Sequence, residues 1–171
     1  MHRTISLVAA AAALGFAAPA VAGPTDPQIA HIAYTAGNID IAAAKQALAR
    51  SHNRAVRSFA REMVRDHQAV NVKALALVKK LHVTPQANDT SSALSKQAQA
   101  TLKRLNHLHG AAFDRAYAKN EVGYHKTVNG ALETTLIPSA NNAELKSLLE
   151  TGLTLFREHQ AHAEHLSKVL R

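Results

Sequence analysis

"NRAVRSFAREMVRDHQAVNVKALALVKKLH", residues 53–82, is the stretch whose reading decides the fold class. Laid on a helix at about 100° per residue, its apolar side chains gather on one face. That stripe is Val56, Phe59, Ala60, Met63, Val70, Ala74, Leu77, Val78 and Leu81. A strand would need alternation, and none is present. One ionisable residue, His67, falls near the middle of the stripe, while Glu62 and Asp66 point well to its side. The stretch is therefore a long amphipathic helix with a histidine facing the core.

The flanking sequence repeats the pattern, punctuated as helices are. Asp26-Pro27 reads as an N-cap followed by proline at the first helical position, opening a helix over 27–50. "RSHN" (50–53) is a brief turn before the helix over 53–82. "VTPQANDTSS" (83–92) is the one long polar loop, with Asp89, Thr90 or Ser91 available to cap the next helix. A third helical stretch covers 92–137, with a bend expected near "NHLHG" (106–110), and Pro138 ends it. Asn141 with Glu144 resembles a capping box for a last helix over 142–170. Four long helices joined by two short turns and one longer loop predict an all-α chain forming an antiparallel four-helix bundle. An elongated solenoid of helical hairpins is the alternative, but no fixed-period repeat supports it.

The first residues stand apart from this domain, which covers 23–171. "MHRT" is basic, "ISLVAAAAALGFAA" (5–18) is apolar, and Ala20-Val21-Ala22 is a small-x-small end. That layout predicts a signal peptide over 1–22, cut after Ala22, and hence a periplasmic or secreted protein. An uncleaved anchor fits less well, because the run is short and Pro19 sits near its end. Without Arg3, 19 Lys plus Arg stand against 12 Asp plus Glu, a net charge of +7. For an exported chain that balance points to peripheral contact with an anionic envelope surface. Aromatics are 4% of residues and no basic run alternates with stacking side chains, so no nucleic-acid partner is expected. The oligomeric state is open. The chain has no cysteine, which excludes disulfides, thiolate metal sites and a cysteine nucleophile.

Wheels of the other helices place further ionisable groups inward. In the first helix the stripe Ile29, Ile32, Ala33, Ala36, Ile39, Ala43 and Ala47 contains Asp40. In the third, Tyr117, Tyr124, Val128 and Ala131 define a stripe with Glu121 on it and His125 on its flank. In the last, Leu145, Leu148, Leu149, Phe156, Ala163, Leu166 and Leu170 centre on His159. His162 lies about 60° around from His159, and His165 faces water. All four helices thus send a group to the same mid-bundle level. A lone buried carboxylate is expensive, so Asp40 needs a partner there. Histidine with carboxylate suits one transition-metal ion, whether zinc, copper, iron, nickel or manganese. The candidate ligands are Asp40, His67, His125, His159 and Glu121. A metal-free Asp–His hydrogen-bond network would use the same residues.

Other chemistry is poorly supplied. Dinuclear iron and manganese bundles use Glu-x-x-His on two helices, and no acid here precedes a histidine at that spacing. The nearest patterns are Glu121-x-x-x-His125 and Glu158-x-x-x-His162. A metal-dependent oxidoreductase is therefore the less favoured reading. No phosphate-binding glycine loop, Gly-x-Ser-x-Gly elbow or His-Glu-x-x-His helix occurs.

"REMVRDH" (61–67), "LHGAAFDRAY" (108–117), "VGYH" (122–125) and "LFREH" (155–159), behind a signal peptide, resemble the bacterial family catalogued as domain of unknown function 4142. "AGNIDIAAAKQAL" (36–48) is similar to that family's first helix. The resemblance implies an exported, ferritin-like helical bundle with no established activity. It also implies histidines at positions matching His67, His125 and His159, and an acid matching Asp40. An acid beside the His125 position and an earlier methionine belong to the family pattern. Tyr124 and Glu121 stand in those places here.

Overall fold

A computed structural model describes residues 23–170. The expected signal peptide lies outside the described residues. Among them the chain is all helical, with no strand. Helix α1 spans Asp26–Arg50, α2 Arg54–Lys80, α3 Asp89–Asn106 and α4 Gly110–Ala131. A π-helical turn, Leu132–Leu136, and a short helix α5, Ile137–Ser139, lead to α6, Ala143–Val169. Among the described residues, no helix is long and apolar enough to cross a membrane.

Among the described residues there are thus five long helices where four were expected, because the 92–137 stretch, expected to bend near 106–110, is two. The break at 107–109 has a local cause. Gly110 sits at φ +53°, a left-handed conformation that glycine adopts without strain. Past the end of α3 the chain is held by the Arg50 guanidinium, which donates to Asn106 O (2.8 Å), Leu108 O (2.8 Å) and Asn106 Oδ1 (3.0 Å). Pro138 does not stop the chain at once. Proline collides with the carbonyl four residues earlier in a regular helix, and the wider π turn just before it gives room.

Each expected cap shifts by one residue. Thr25, not Asp26, is the N-cap of α1, and its backbone N–H donates to the Gln28 side chain (3.0 Å). The Asp26 carboxylate instead accepts from the backbone N–H groups of Asn141 and Asn142, both at 2.9 Å. Asn88 caps α3, accepting from Ser91 N, and Asn142 caps α6, accepting from Glu144 N and Leu145 N. At α3 and α6 a neighbouring asparagine of similar capping strength takes the position.

Hydrogen bonds between elements give the helix directions. Gln86 N donates to Pro27 O (2.9 Å) and Asn88 Nδ2 to Gln28 O (3.3 Å), so α3 starts beside the start of α1. Gln46 Nε2 donates to Leu102 O (3.0 Å) near their far ends, so the two run parallel. Helix α4 returns the other way, and Tyr124 donates its hydroxyl proton to Ala36 O (2.7 Å). The Asp26 contacts put the start of α6 beside the start of α1, and a Lys80–Glu144 pair (2.6 Å) ties it to the end of α2. Thus α1 and α6 point one way and α2 and α4 the other. Helix α1 packs on α2 and α4, α6 packs on α4 and α2, and α3 lies along α1.

The apolar interior forms two clusters. One holds Ala44, Val56, Phe59, Met63, Phe113, Tyr117 and Leu166. The other holds Ile29, Ile32, Leu132, Leu136, Leu149 and Phe156. Between them lies a layer of buried polar side chains: Asp40 from α1, His67 and Asn71 from α2, Glu121, His125 and Asn129 from α4, and His159 from α6. Sequence order fixes that position. Asp40 lies between Ile32 and Ala43, His67 between Met63 and Val70, and His159 between Phe156 and Ala163.

Candidate metal centre

The five expected ligands sit in this layer, all nearly inaccessible to water. His67, His125 and His159 each offer a ligand atom within 4.8 Å of the other two. Asp40, Glu121 and His125 form a second such trio at the same limit. His125 belongs to both, so the two trios are one continuous site.

Atom by atom, the lone pairs face one another. His125 Nδ1 lies 3.0 Å from the Glu121 backbone carbonyl, which can only accept, so Nδ1 carries the proton and Nε2 keeps its lone pair. That Nε2 lies 3.5 Å from Asp40 Oδ2. His67 Nε2 lies 3.5 Å from the same oxygen, and its ring stacks on Phe156 at 4.6 Å with 13° between planes. His159 Nε2 lies 3.1 Å from Asp66 Oδ2. Arg65 binds Asp66 in a bidentate fork (2.7 and 2.9 Å) and holds its carboxyl below the usual range. An ionised Asp66 accepts, so His159 donates from Nε2 and keeps the Nδ1 lone pair inside. Carboxylates and carbonyls behind histidine ligands commonly fix the tautomer in this way.

Apart from a contact between the Asp40 and Glu121 carboxyls, the inner atoms have no hydrogen-bond partners among the described residues. Both oxygens of Asp40, both ring nitrogens of His67, Glu121 Oε2, His125 Nε2 and His159 Nδ1 are buried and unpaired. Contacts of 3.5 Å are too long for the O–H···N bonds that would close a proton-shared network. Each such atom costs free energy to bury, and here they converge.

Burial also removes charge from the site. It pushes Asp40 up to about 7 and Glu121 well above the usual range, the latter helped by the Asp40 charge. It pushes His67 down to about 3 and His125 down to about 4, and lowers His159 against the pull of Asp66. Near neutral pH the imidazoles are therefore uncharged, which is the form that binds metals. The donor set is nitrogen and oxygen without sulfur, which suits borderline cations such as zinc, copper, iron, nickel or manganese. The residues present fit one ion.

Sequence reasoning missed the groups behind the ligands. Asp66 and Glu62 lie off the apolar stripe, but they meet the last helix in order. Asp66 faces His159, and Glu62 Oε2 lies 2.9 Å from His162 Nδ1. Their spacing of four, opposite a spacing of three on an antiparallel helix, was the available signal. His165 is exposed, and the buried Asn71, Asp114 and Asn129 had no sequence signature. Tyr117 lies in the neighbouring apolar cluster with its hydroxyl unpaired, and burial raises it well above its ordinary value.

No curated protein and no solved structure matches the chain. One family model does, over residues 11–166, and it spans the site, helices α1 to α4 and most of α6. The chain belongs to the family described as Domain of unknown function (DUF4142).

Proposed function

We propose that this protein is an exported metal-binding protein, an antiparallel four-helix bundle of ferritin-like arrangement that holds one transition-metal ion through Asp40, His67, His125 and His159, with Glu121 beside them. The observation that carries the reading is the convergence of unpaired, buried donor atoms from four helices on one layer. A metal-free network could join the Asp40 and Glu121 carboxyls but would leave both His67 nitrogens, His125 Nε2 and His159 Nδ1 unsatisfied. An ion would meet them with the neutral imidazoles and the carboxylate that burial makes reluctant to ionise alone.

The helix order supports the ferritin-like part. Helices α1, α2, α4 and α6 pack in a ring with alternating directions, and α3 is a long crossover between α2 and α4. Ferritin-like bundles carry one such crossover, whereas up-down-up-down bundles need none. Export rests on the apolar N-terminal run and its small-residue end, and the basic charge suits contact with an anionic envelope surface. Metal handling in the envelope is the role that unites these features, and no catalytic step is assigned to the site. Bound, the ion would supply Lewis acidity. The chain's part is to hold imidazoles neutral, orient His125 through the Glu121 carbonyl and His159 through Asp66, and keep bulk water out.

The test is metal content. The protein is purified from periplasm without a His-tag, and bound metal is measured by mass spectrometry beside a His67→Ala/His159→Ala variant. About one ion per chain, lost in the variant, supports the proposal. A native protein without stoichiometric metal, whose melting temperature ignores added zinc, copper and iron, removes it. The intact mass of the same preparation shows whether residues 1–22 have been cut away.

A further inference from the structure

The two apolar halves of the interior are filled differently. The half around Phe59, Phe113 and Tyr117 is packed with large rings. In the other half, facing positions carry small side chains: Ala33 and Gly37 on α1, Ala74 on α2, Ala131 on α4 and Gly152 on α6. The result is a cavity of about 710 Å³ between the helices. That is the size of a small-molecule site. Its walls are apolar, with Ile32, Val70, Val128 and Leu149 among them, and the end against the polar layer is closed by His67, His125 and Phe156.

The polar features of the cavity are few. Among the described residues its lining has no lysine or arginine, and its one carboxylate, Asp89, is exposed at the start of α3. An anionic ligand inside would therefore lack a counter-charge. Tyr124 already donates to Ala36 O, and Asn71 Nδ2 donates to Asn38 Oδ1 (3.0 Å). His67, buried and unpaired at both ring nitrogens, is left to meet a ligand, with the unpaired His125 Nε2 beside it.

We propose that this chamber binds an uncharged, mainly apolar small molecule carrying one polar group, a hydroxyl or carbonyl, which reaches the His67 end while the apolar body lies along the walls. Occupation of the chamber does not require a metal. Only contact between that polar group and an ion at the histidines rests on the metal-binding reading. The inference thus gives the proposed centre a ligand side lined mainly by carbon.

The probe is N-phenyl-1-naphthylamine, which is uncharged, and its control is the anionic 8-anilinonaphthalene-1-sulfonate, with a similar aromatic body. Both are titrated by fluorescence into metal-stripped and zinc-loaded protein. The chamber predicts one saturable site for the uncharged probe, at least about tenfold tighter than for the sulfonate. A merely sticky surface on a chain of net charge +8 would favour the sulfonate instead. Ala33→Leu and Ala74→Leu, made separately and checked by thermal melting, each fill the chamber and are expected to weaken the uncharged probe by about tenfold or more. Unsaturable binding, equal or tighter sulfonate binding, or undiminished binding in a folded filled variant would overturn the proposal. Saturable binding to protein that holds no metal would uphold the chamber while the metal reading fell.

Discussion

Asp66 Oδ2 stands 3.1 Å from His159 Nε2, while the other ring nitrogen, Nδ1, is buried without a partner. Arg65 keeps that carboxylate ionised, so His159 presents an unprotonated Nδ1 to the buried layer. Removing such an orienting carboxylate ordinarily costs about 10–100-fold in metal affinity. Asp66→Asn is expected to weaken binding by that amount while leaving the metal-free melting temperature nearly unchanged. His162→Ala, which removes a half-exposed neighbour on the same face, is the control with little effect. Competition against a chromogenic chelator measures both, and equal affinities for wild type and Asp66→Asn would remove Asp66 from the account.

Metal binding should release protons. Burial raises Asp40 to about 7, whereas His67 and His125 lie near 3 and 4, so above about pH 5 the histidines are already deprotonated. The proton displaced near pH 6 is that of the carboxyl pair. Zinc affinity is expected to rise with pH up to about 7 and then level off, with at least about one proton released per ion at pH 6 and fewer at pH 8.5. Calorimetric titration in buffers of different ionisation enthalpy counts them. A proton count independent of pH, or affinity that falls between pH 6 and 7, would contradict this assignment.

The same carboxyl makes a stability prediction with a definite sign. The folded-state value of Asp40, about 7, lies above its ordinary 3.8. Its contribution is therefore fully present below about pH 4 and lost as pH rises to about 7. In metal-free protein, Asp40→Asn should resemble wild type near pH 4 and exceed it at pH 8 by on the order of a few kcal/mol. Added zinc should reverse that order, stabilising wild type and not the variant. Urea denaturation with and without chelator tests the crossing. A variant no more stable than wild type at pH 8 would mean that Asp40 has a protein partner after all.

The layer residues were readable from helical wheels because each lies on an apolar stripe whose neighbours are unmistakably core. Their convergence was readable too, since helices of similar length joined by short turns put mid-helix residues at one height. Three things were not readable. A bend was expected near "NHLHG" (106–110), but the stretch holds no proline, and only the backbone shows that the helix ends outright at 107–109 with Gly110 in the left-handed conformation. The Asp66–His159 contact depends on two helices meeting, while a wheel describes one helix at a time. The chamber was invisible because the stripe Val70, Ala74, Leu77 and Val78 reads alike whether its face meets side chains or a cavity.

Gly37 decides how closely α1 and α2 approach beside the buried polar layer. A Cβ built there would collide with Asn71 Oδ1 and lie 3.0 Å from its Cγ. In an exposed helix interior, Gly→Ala gains about 1 kcal/mol from propensity alone. Here the gain is opposed by displacing a buried carboxamide and losing its 3.0 Å bond to Asn38 Oδ1, and overpacking of this kind costs about 1–3 kcal/mol. Gly37→Ala is thus expected to be destabilising overall by about 1 kcal/mol, with the sign opposite to propensity. Gly123→Ala in α4, where nothing lies within 4 Å of the added methyl, should stabilise by up to about 1 kcal/mol. Chemical denaturation of the pair reads the difference directly. If Gly37→Ala stabilises as much as Gly123→Ala, Asn71 moves freely and the close approach of α1 to α2 does not depend on that glycine.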